Sequence, residues 1–419
     1  MTFSGSRWSE RLLCSVGSVA LATAVSGGYA GAADVLSDDR PVPVLERFNT
    51  DNSRGGIRAN SFIFTPSLLS KVVYDDNVYS TRIRTTDVIF SVTPALQMKS
   101  DWSRHSVEAE VAIEGVKYSR QSKLDHINAR IGGVGKFDLG SSSNIVIESR
   151  FVRSLDTAPT TGVSSPDGPI LTNSINEALT FNTRMNRWVL SAGVAWAWTN
   201  YENAKSFGVP VDQSFRNGYT LTFTDRIGYE VTPSTVLFFQ PSYNIRRYKN
   251  SNFNSEGYRL YSGVQTELSR LLRAEVYGGY LFQDFQNPLV RNVSGFGFGG
   301  RLSWFPVERL TLNFSANRDI GDPSTVGAAP AINTSFNAQA DYEIMRNLVW
   351  SVGSSYSMAK YSTPSYTDYT YGANTGMTYY INRQLSATAS WNRTWRENAF
   401  TLASNYNRNQ IAFGLKGQF

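Results

Sequence analysis

The 419-residue chain has little of what most chemistry needs: one cysteine, Cys14, and two histidines, His105 and His126. Cys14 sits in an apolar stretch behind Arg7 and Arg11, with no small-residue lipobox ahead of it, which argues against a lipoprotein. Beyond residue 33 there is no thiol, so a disulfide framework and thiol chemistry are excluded. No His/Cys cluster suggests a transition metal, and no Gly-rich loop leading into a helix suggests a nucleotide, so no cofactor is expected. His105 falls in an expected periplasmic turn and His126, beside Asp125, at an expected external strand end. Neither has a G-x-S-x-G partner, and the chain does not read as an enzyme.

Charge of one sign is also scarce. The formal net charge of +6, from 40 Lys and Arg against 34 Asp and Glu, is spread along the chain and makes no nucleic-acid patch. Long apolar runs are missing too: past residue 33 none approaches the roughly 18 residues of a spanning helix. Any membrane span must then be made of strands.

What is present divides into three parts. Arg7 and Arg11 precede an apolar stretch from Leu12 to Val25, and Ala30 and Ala32 follow at small-residue positions. That is the pattern of a secretory signal peptide, residues 1–33. Residues 34–55 carry Pro41, Pro43 and many charges without sustained alternation, and are expected to be a flexible periplasmic lead-in. From 56 to 419 one pattern repeats to the closing "IAFGLKGQF": Ile411, Phe413, Leu415 and Phe419 share one face, while Gly414, Lys416 and Gln418 share the other. Trp188 to Trp198, Tyr219 to Tyr229, Phe296 to Trp304 and Leu385 to Trp395 alternate in the same way.

Such segments begin near residues 57, 86, 105, 124, 144, 174, 188, 217, 235, 256, 272, 292, 309, 333, 348, 367, 384 and 407. Their connections alternate between short ("MNR" at 185–187, "TPS" at 232–234, "MRN" at 345–347) and long (155–176, 202–215, 319–333). A soluble sandwich has shorter strands and no reason to sort its loops by parity. An all-β fold follows: a transmembrane, antiparallel, up-and-down β-barrel of about 18 strands in a bacterial outer membrane, with both termini periplasmic. Trp188, Trp304, Trp350, Tyr379 and Trp395 near segment ends suit interface belts. The last strand, with Phe413, Leu415 and Phe419, resembles the signal read by the outer-membrane barrel-assembly machinery, although Gly417 stands where that pattern has a hydrophobe.

With apolar positions toward lipid, their neighbours line the lumen. Arg226, Arg246, Arg259, Arg273 and Arg301 fall there on five successive strands. They form either a ladder favouring anions or a brace paired with Glu230, Glu267 and Glu275. An acidic stripe, Glu108, Glu110 and Glu114, is expected opposite Arg130 and Lys136. The stretch "SLLSKVVYDDNVYST" contains Tyr74, Asp75, Asp76 and Asn77, where the carboxylates would cap the first external loop or hold a cation.

That stretch resembles the type 2 family of outer-membrane β-barrel porins, a resemblance extending over 56–419. It implies an outer-membrane barrel, and some relatives resemble partners of envelope polysaccharide export systems. The expectation is a monomeric or trimeric channel embedded in outer-membrane lipid and passing hydrophilic, anionic solutes. The alternatives are a barrel partner of periplasmic polysaccharide-export proteins, or a sealed scaffold or adhesin whose 155–176 loop folds inward.

Overall fold

The structure, a computed structural model, describes residues 42–52, 56–156, 170–206, 208–321, 330–362, 365–398 and 405–419. The expected signal peptide, most of the 155–176 loop and much of the 319–333 loop lie outside these residues.

Among the described residues eighteen long strands form the wall: β1 (Phe62–Asp75), β2 (Asp87–Ser100), β3 (Ser106–Tyr118), β4 (His126–Asp138), β5 (Ser143–Asp156), β6 (Ile170–Met185), β7 (Trp188–Tyr201), β8 (Gly218–Thr232) and β9 (Thr235–Tyr248) in the first half. The second half holds β10 (Ser255–Ser269), β11 (Leu272–Phe285), β12 (Val293–Val307), β13 (Leu310–Ile320), β14 (Ala331–Met345), β15 (Leu348–Ser362), β16 (Ser365–Tyr380), β17 (Leu385–Asn398) and β18 (Tyr406–Gln418). Each strand pairs antiparallel with the next. β18 pairs with β1 from Ser67↔Gln418 to Asp75↔Gln410, so the sheet closes on itself and keeps no edge. No helix among the described residues is long and apolar enough to cross a bilayer; the crossing is made by strands.

The alternation sets the two faces. Phe90, Val111, Leu179, Phe223, Leu237, Phe336 and Phe413 are exposed on the outside, while their sequence neighbours turn inward, as period-two geometry requires. Aromatic rings run from strand to strand across the outer surface: Phe298 to Phe336 at 6.2 Å, Phe336 to Tyr356 at 6.2 Å, Tyr356 to Tyr371 at 5.3 Å and Tyr371 to Trp395 at 5.2 Å. At the short-turn end Trp188 meets Tyr229 at 5.0 Å. The same outer face also carries two carboxylates. Glu177 accepts from Ser149 Oγ at 2.8 Å, and Asp225 is exposed where the β8–β9 register passes from Thr224↔Ser242 to Ile227↔Phe239.

Residues 44–52, inside the stretch expected to be flexible, form a helix, α1 (Val44–Asn52). Pro43 precedes it, as suits a helix start, and Arg47 N–H bonds back to Pro43 O at 3.0 Å. Val44 and Phe48, one turn apart on one face, are 1% and 2% exposed and pack with Val349 and Tyr380. Apolar spacing outweighs the local charge and proline content.

Candidate functional site in the lumen

The inner wall has two unlike halves. From β1 to β12 it carries charges, and most are matched. Arg226 donates to Glu275 at 3.4 Å and to Gln265 at 3.1 Å, with its guanidinium 3.5 Å from the centre of the Phe238 ring. Arg259 is ion-paired with Asp319. Arg273 lies 3.7 Å from Glu267 and over the Phe305 ring. Arg246 is buried and donates to backbone carbonyls, Gly321 O at 2.8 Å and Ile320 O at 3.0 Å, so it pins the end of β13. Arg301 differs: it is exposed to the lumen and, among the described residues, has no hydrogen bond or ion pair.

The five expected arginines thus do not form one uniform ladder. Of the carboxylates expected to brace them, Glu267 and Glu275 do, whereas Glu230 is held by Arg184 at 2.7 Å. Glycines on the inner face of β12 let the wall pack tightly: a Cβ at Gly299 would collide with the Tyr277 ring, and one at Gly297 with Leu281 and the Tyr261 hydroxyl.

The acidic stripe on β3 forms ion pairs with β1 and β2. Glu114 bonds Lys71 of β1 at 3.2 Å, and Glu108 bonds Lys99 of β2 at 2.9 Å. Arg130 stands opposite Ala112 and Lys136 opposite Ser106, one register step away from the carboxylates. Lys99 meets Glu108 directly across the adjacent strand, whereas Lys71 leans over Ser91 to reach Glu114 two strands away, as a long cationic stem can in a concave lumen.

From β13 to β17 the inner face is different. Among the described residues its middle holds only small or neutral polar side chains, such as Asn313, Ser315, Asn337, Ser355, Asn374 and Thr388. Charges appear at its ends: Asp341 and Glu343 near the short turns, Asp319, Asp368 and Arg396 near the long loops. Helix α1 lies against the short-turn end of this half. Val44 N–H donates to Thr311 Oγ1 at 3.0 Å, Arg47 donates to Glu308 O at 2.8 Å and pairs with Glu343 at 2.5 Å, and Tyr380 O–H donates to Asn49 Oδ1 at 3.1 Å. Thr311, Glu343, Val349 and Tyr380 all have inward parity, so α1 sits inside the barrel.

The two halves meet at the β18–β1 seam, where the Tyr74 to Asn77 stretch lies. Tyr74 points outward and is exposed, while Asp75 and Asn77 are fully buried. Asp75 accepts from Arg408 Nε at 3.0 Å and its terminal nitrogen at 2.6 Å, from Gln410 at 2.9 Å, and from the Asn77 N–H at 3.0 Å. Asp76 accepts from Asn409 N–H at 2.6 Å and from the Asn409 amide at 2.7 Å. Asn77 donates to Asn407 O at 3.0 Å and to Thr81 O at 2.7 Å. Protein donors therefore take the carboxylate oxygens weighed above as cation ligands, and the stretch fastens the first strand to the last as well as capping its loop.

Other expected residues are placed as follows. Phe413, Leu415 and Phe419 are exposed on the outer face, and the Phe419 N–H reaches Pro66 O at 3.0 Å. His105 Nδ1 accepts from Asp138 N–H at 3.1 Å, and His126 Nδ1 lies 2.6 Å from Leu124 O. Asp125 accepts from the Tyr118 N–H at 2.8 Å. Both histidines serve local backbone structure.

Three comparisons place the chain among known proteins. The model of the family described as "Putative beta-barrel porin 2" matches residues 53–419. No curated protein matches by sequence. Solved structures with a similar fold include OpdQ of Pseudomonas aeruginosa, 13% identical with TM-score 0.47, covering 86% of this chain and 99% of that one. OccK5 (OpdH) of the same organism is 12% identical with TM-score 0.43, covering 85% and 98%. OccAB3 of Acinetobacter baumannii is 10% identical with TM-score 0.44, covering 85% and 99%.

Proposed function

This chain belongs to the beta-barrel porin 2 family, and from that premise we propose that it passes small hydrophilic solutes across the outer membrane with a preference for anions. That it is an integral outer-membrane barrel of porin type follows from family and fold together. The preference for anions rests on Arg301. It is the one member of the five-arginine set that is exposed to the lumen with no hydrogen bond or ion pair among the described residues, while Glu275 across the register is held by Arg226, so its charge is available to a passing solute. Planar-bilayer recordings across a KCl gradient at low salt should give a reversal potential on the anion side; a potential on the cation side would reject the preference.

We place the short turns and both termini in the periplasm, because barrels of this class keep their short connections there. A cysteine at the exposed Leu289, in a long connection, should react with an impermeant maleimide on intact cells, while one at Arg270, in a short turn, should not. The reverse labelling would invert the barrel. Recognition of β18 by the assembly machinery is part of the same proposal: deleting Phe419 should lower the amount of heat-modifiable barrel in the outer membrane.

A further inference from the structure

We propose that α1 is a selectivity element of the channel, a docked segment that narrows the short-turn mouth and masks two carboxylates there. The inference rests on the channel reading above, but not on the channel's preference for anions.

Three observations carry it. The helix lies inside the wall, held by the inward residues Thr311, Glu343, Val349 and Tyr380 of β13 to β16. A helix with its side chains is about 10–12 Å across, and barrels of 16 to 18 strands leave an aqueous channel for it to fill in part. Secondly, its position controls local charge. Arg47 pairs with Glu343 at 2.5 Å, and Asp341, opposite Thr311 in the register, is 2% exposed. Among the described residues Asp341 accepts from neutral groups, Ser351 Oγ at 2.6 Å and Gln339 at 2.9 Å. With α1 docked, Glu343 is neutralised and Asp341 is covered. With α1 away, two carboxylates face the mouth of the half that otherwise has no charge in its middle. Thirdly, the attachment is local: Val44 and Phe48, with Leu45 beside them, form a cluster with Val349 and Tyr380, and the hydrogen bonds go to Thr311, Glu308, Glu343 and Tyr380.

Docking and release would therefore change both width and charge at one end, in the sense that release favours cations. The side of the barrel matters as well. The charged half from β1 to β12 has its own matched pairs, and the hydrogen bonds that hold α1 go to residues 308–380.

The test compares three forms of the full chain, each first shown to be folded by heat-modifiable mobility. In one, Arg47→Gln and Phe48→Asp together remove the ion pair and the apolar anchor. In the second, Val44→Cys with Thr311→Cys ties the helix to the wall, since Val44 N and Thr311 Oγ1 are already 3.0 Å apart. The third is the unaltered chain. The undocked form should show single-channel conductance raised by about two-fold, in keeping with a wider mouth, and a reversal potential moved toward cations. The tied form should hold the unaltered values, with or without reductant if the helix stays docked at rest. Identical conductance and reversal potential in the undocked and unaltered forms would overturn the proposal, as would a shift of the undocked form toward anions. A cation-selective unaltered channel whose undocked form moves further the same way would reject the anion preference and keep this inference.

Discussion

The lumen wall from β1 to β12 and the wall from β13 to β17 are made of the same strand geometry, yet they handle charge in opposite ways. The first half is crowded with ionisable groups, and they largely cancel: Arg226 with Glu275, Arg273 with Glu267, Lys71 with Glu114, Lys99 with Glu108. The second keeps charge out of its middle and places it at the two rims. The contrast teaches that counting lumen arginines overstates a field. Arg301 is one inward charge on that wall that has no hydrogen bond or ion pair among the described residues.

The largest effect is expected where the halves join. Asp75 is 0% exposed and takes donors from Arg408, Gln410 and its own loop. Replacing Arg408 with Gln strands a carboxylate in the seam. Breaking a buried pair from one side costs about 3–5 kcal/mol. Arg408→Gln should therefore lower the urea midpoint of the folded barrel and leave more unfolded chain on unheated gels. The double variant Arg408→Gln with Asp75→Asn should recover part of the loss. A single variant with an unchanged midpoint would show that the seam is held by its backbone ladder alone.

Next in size is Arg226→Ser. Within the charged half this removes a paired cation, leaves Glu275 without its partner, and takes the guanidinium off Phe238. The pair is mostly shielded, so a loss of about 1–3 kcal/mol is expected, seen as a lower urea midpoint. The freed Glu275 should also shift the reversal potential toward cations. No change in either measurement would mean that the pairing does not hold in the lumen.

Most of this wall was legible in the sequence and part was not, for physical reasons. Period-two alternation and the parity of loop lengths are local properties, and they place strand starts well: expected near 188, 235, 272 and 348, observed at Trp188, Thr235, Leu272 and Leu348. The largest departure is the first strand, expected near 57 and begun at Phe62, because Ile57–Ala59 folds back on β1 as a separate short strand. Charge partners were less legible. Arg226 on β8 reaches Glu275 on β11, and Arg259 on β10 reaches Asp319 on β13, crossings that no adjacent-strand rule supplies. Helix α1 had a signal that composition hid: Val44 and Phe48 at i, i+4 after Pro43. The seam role of Asp75 to Asn77 needed residues over 300 positions away in sequence, Asn407 to Gln410, brought beside them only by closure.

A smaller and cleaner effect is expected from Arg301→Ser. Glu275, across the register from Arg301, keeps its bond to Arg226, so the urea midpoint should stay within about 0.5 kcal/mol of the unaltered barrel, while the anion preference should fall. The fall should be greatest at low salt, because the Debye length is about 30 Å at 0.01 M and about 3 Å at 1 M. This is the reverse of Arg226→Ser, where stability and selectivity move together. If Arg301→Ser left the preference intact, the surplus charge would have to lie elsewhere on the charged half.

The least effect is expected on the other side of the lumen. Asn337, on β14, is exposed and uncharged, and it donates only a long 3.4 Å contact to Ser315 Oγ. Asn337→Ala removes no charge and strands no buried group, so neither midpoint nor reversal potential should move measurably. Its companion Asn337→Arg puts a guanidinium in the middle of a wall that has no carboxylate there to cancel it. The same charge that is largely absorbed between β1 and β12 should act in full at this position, moving the reversal potential toward anions by more than Arg301→Ser moves it back. Should Asn337→Arg instead prove silent, the middle of the uncharged half would not border the conducting path, and solutes would pass along the charged half alone.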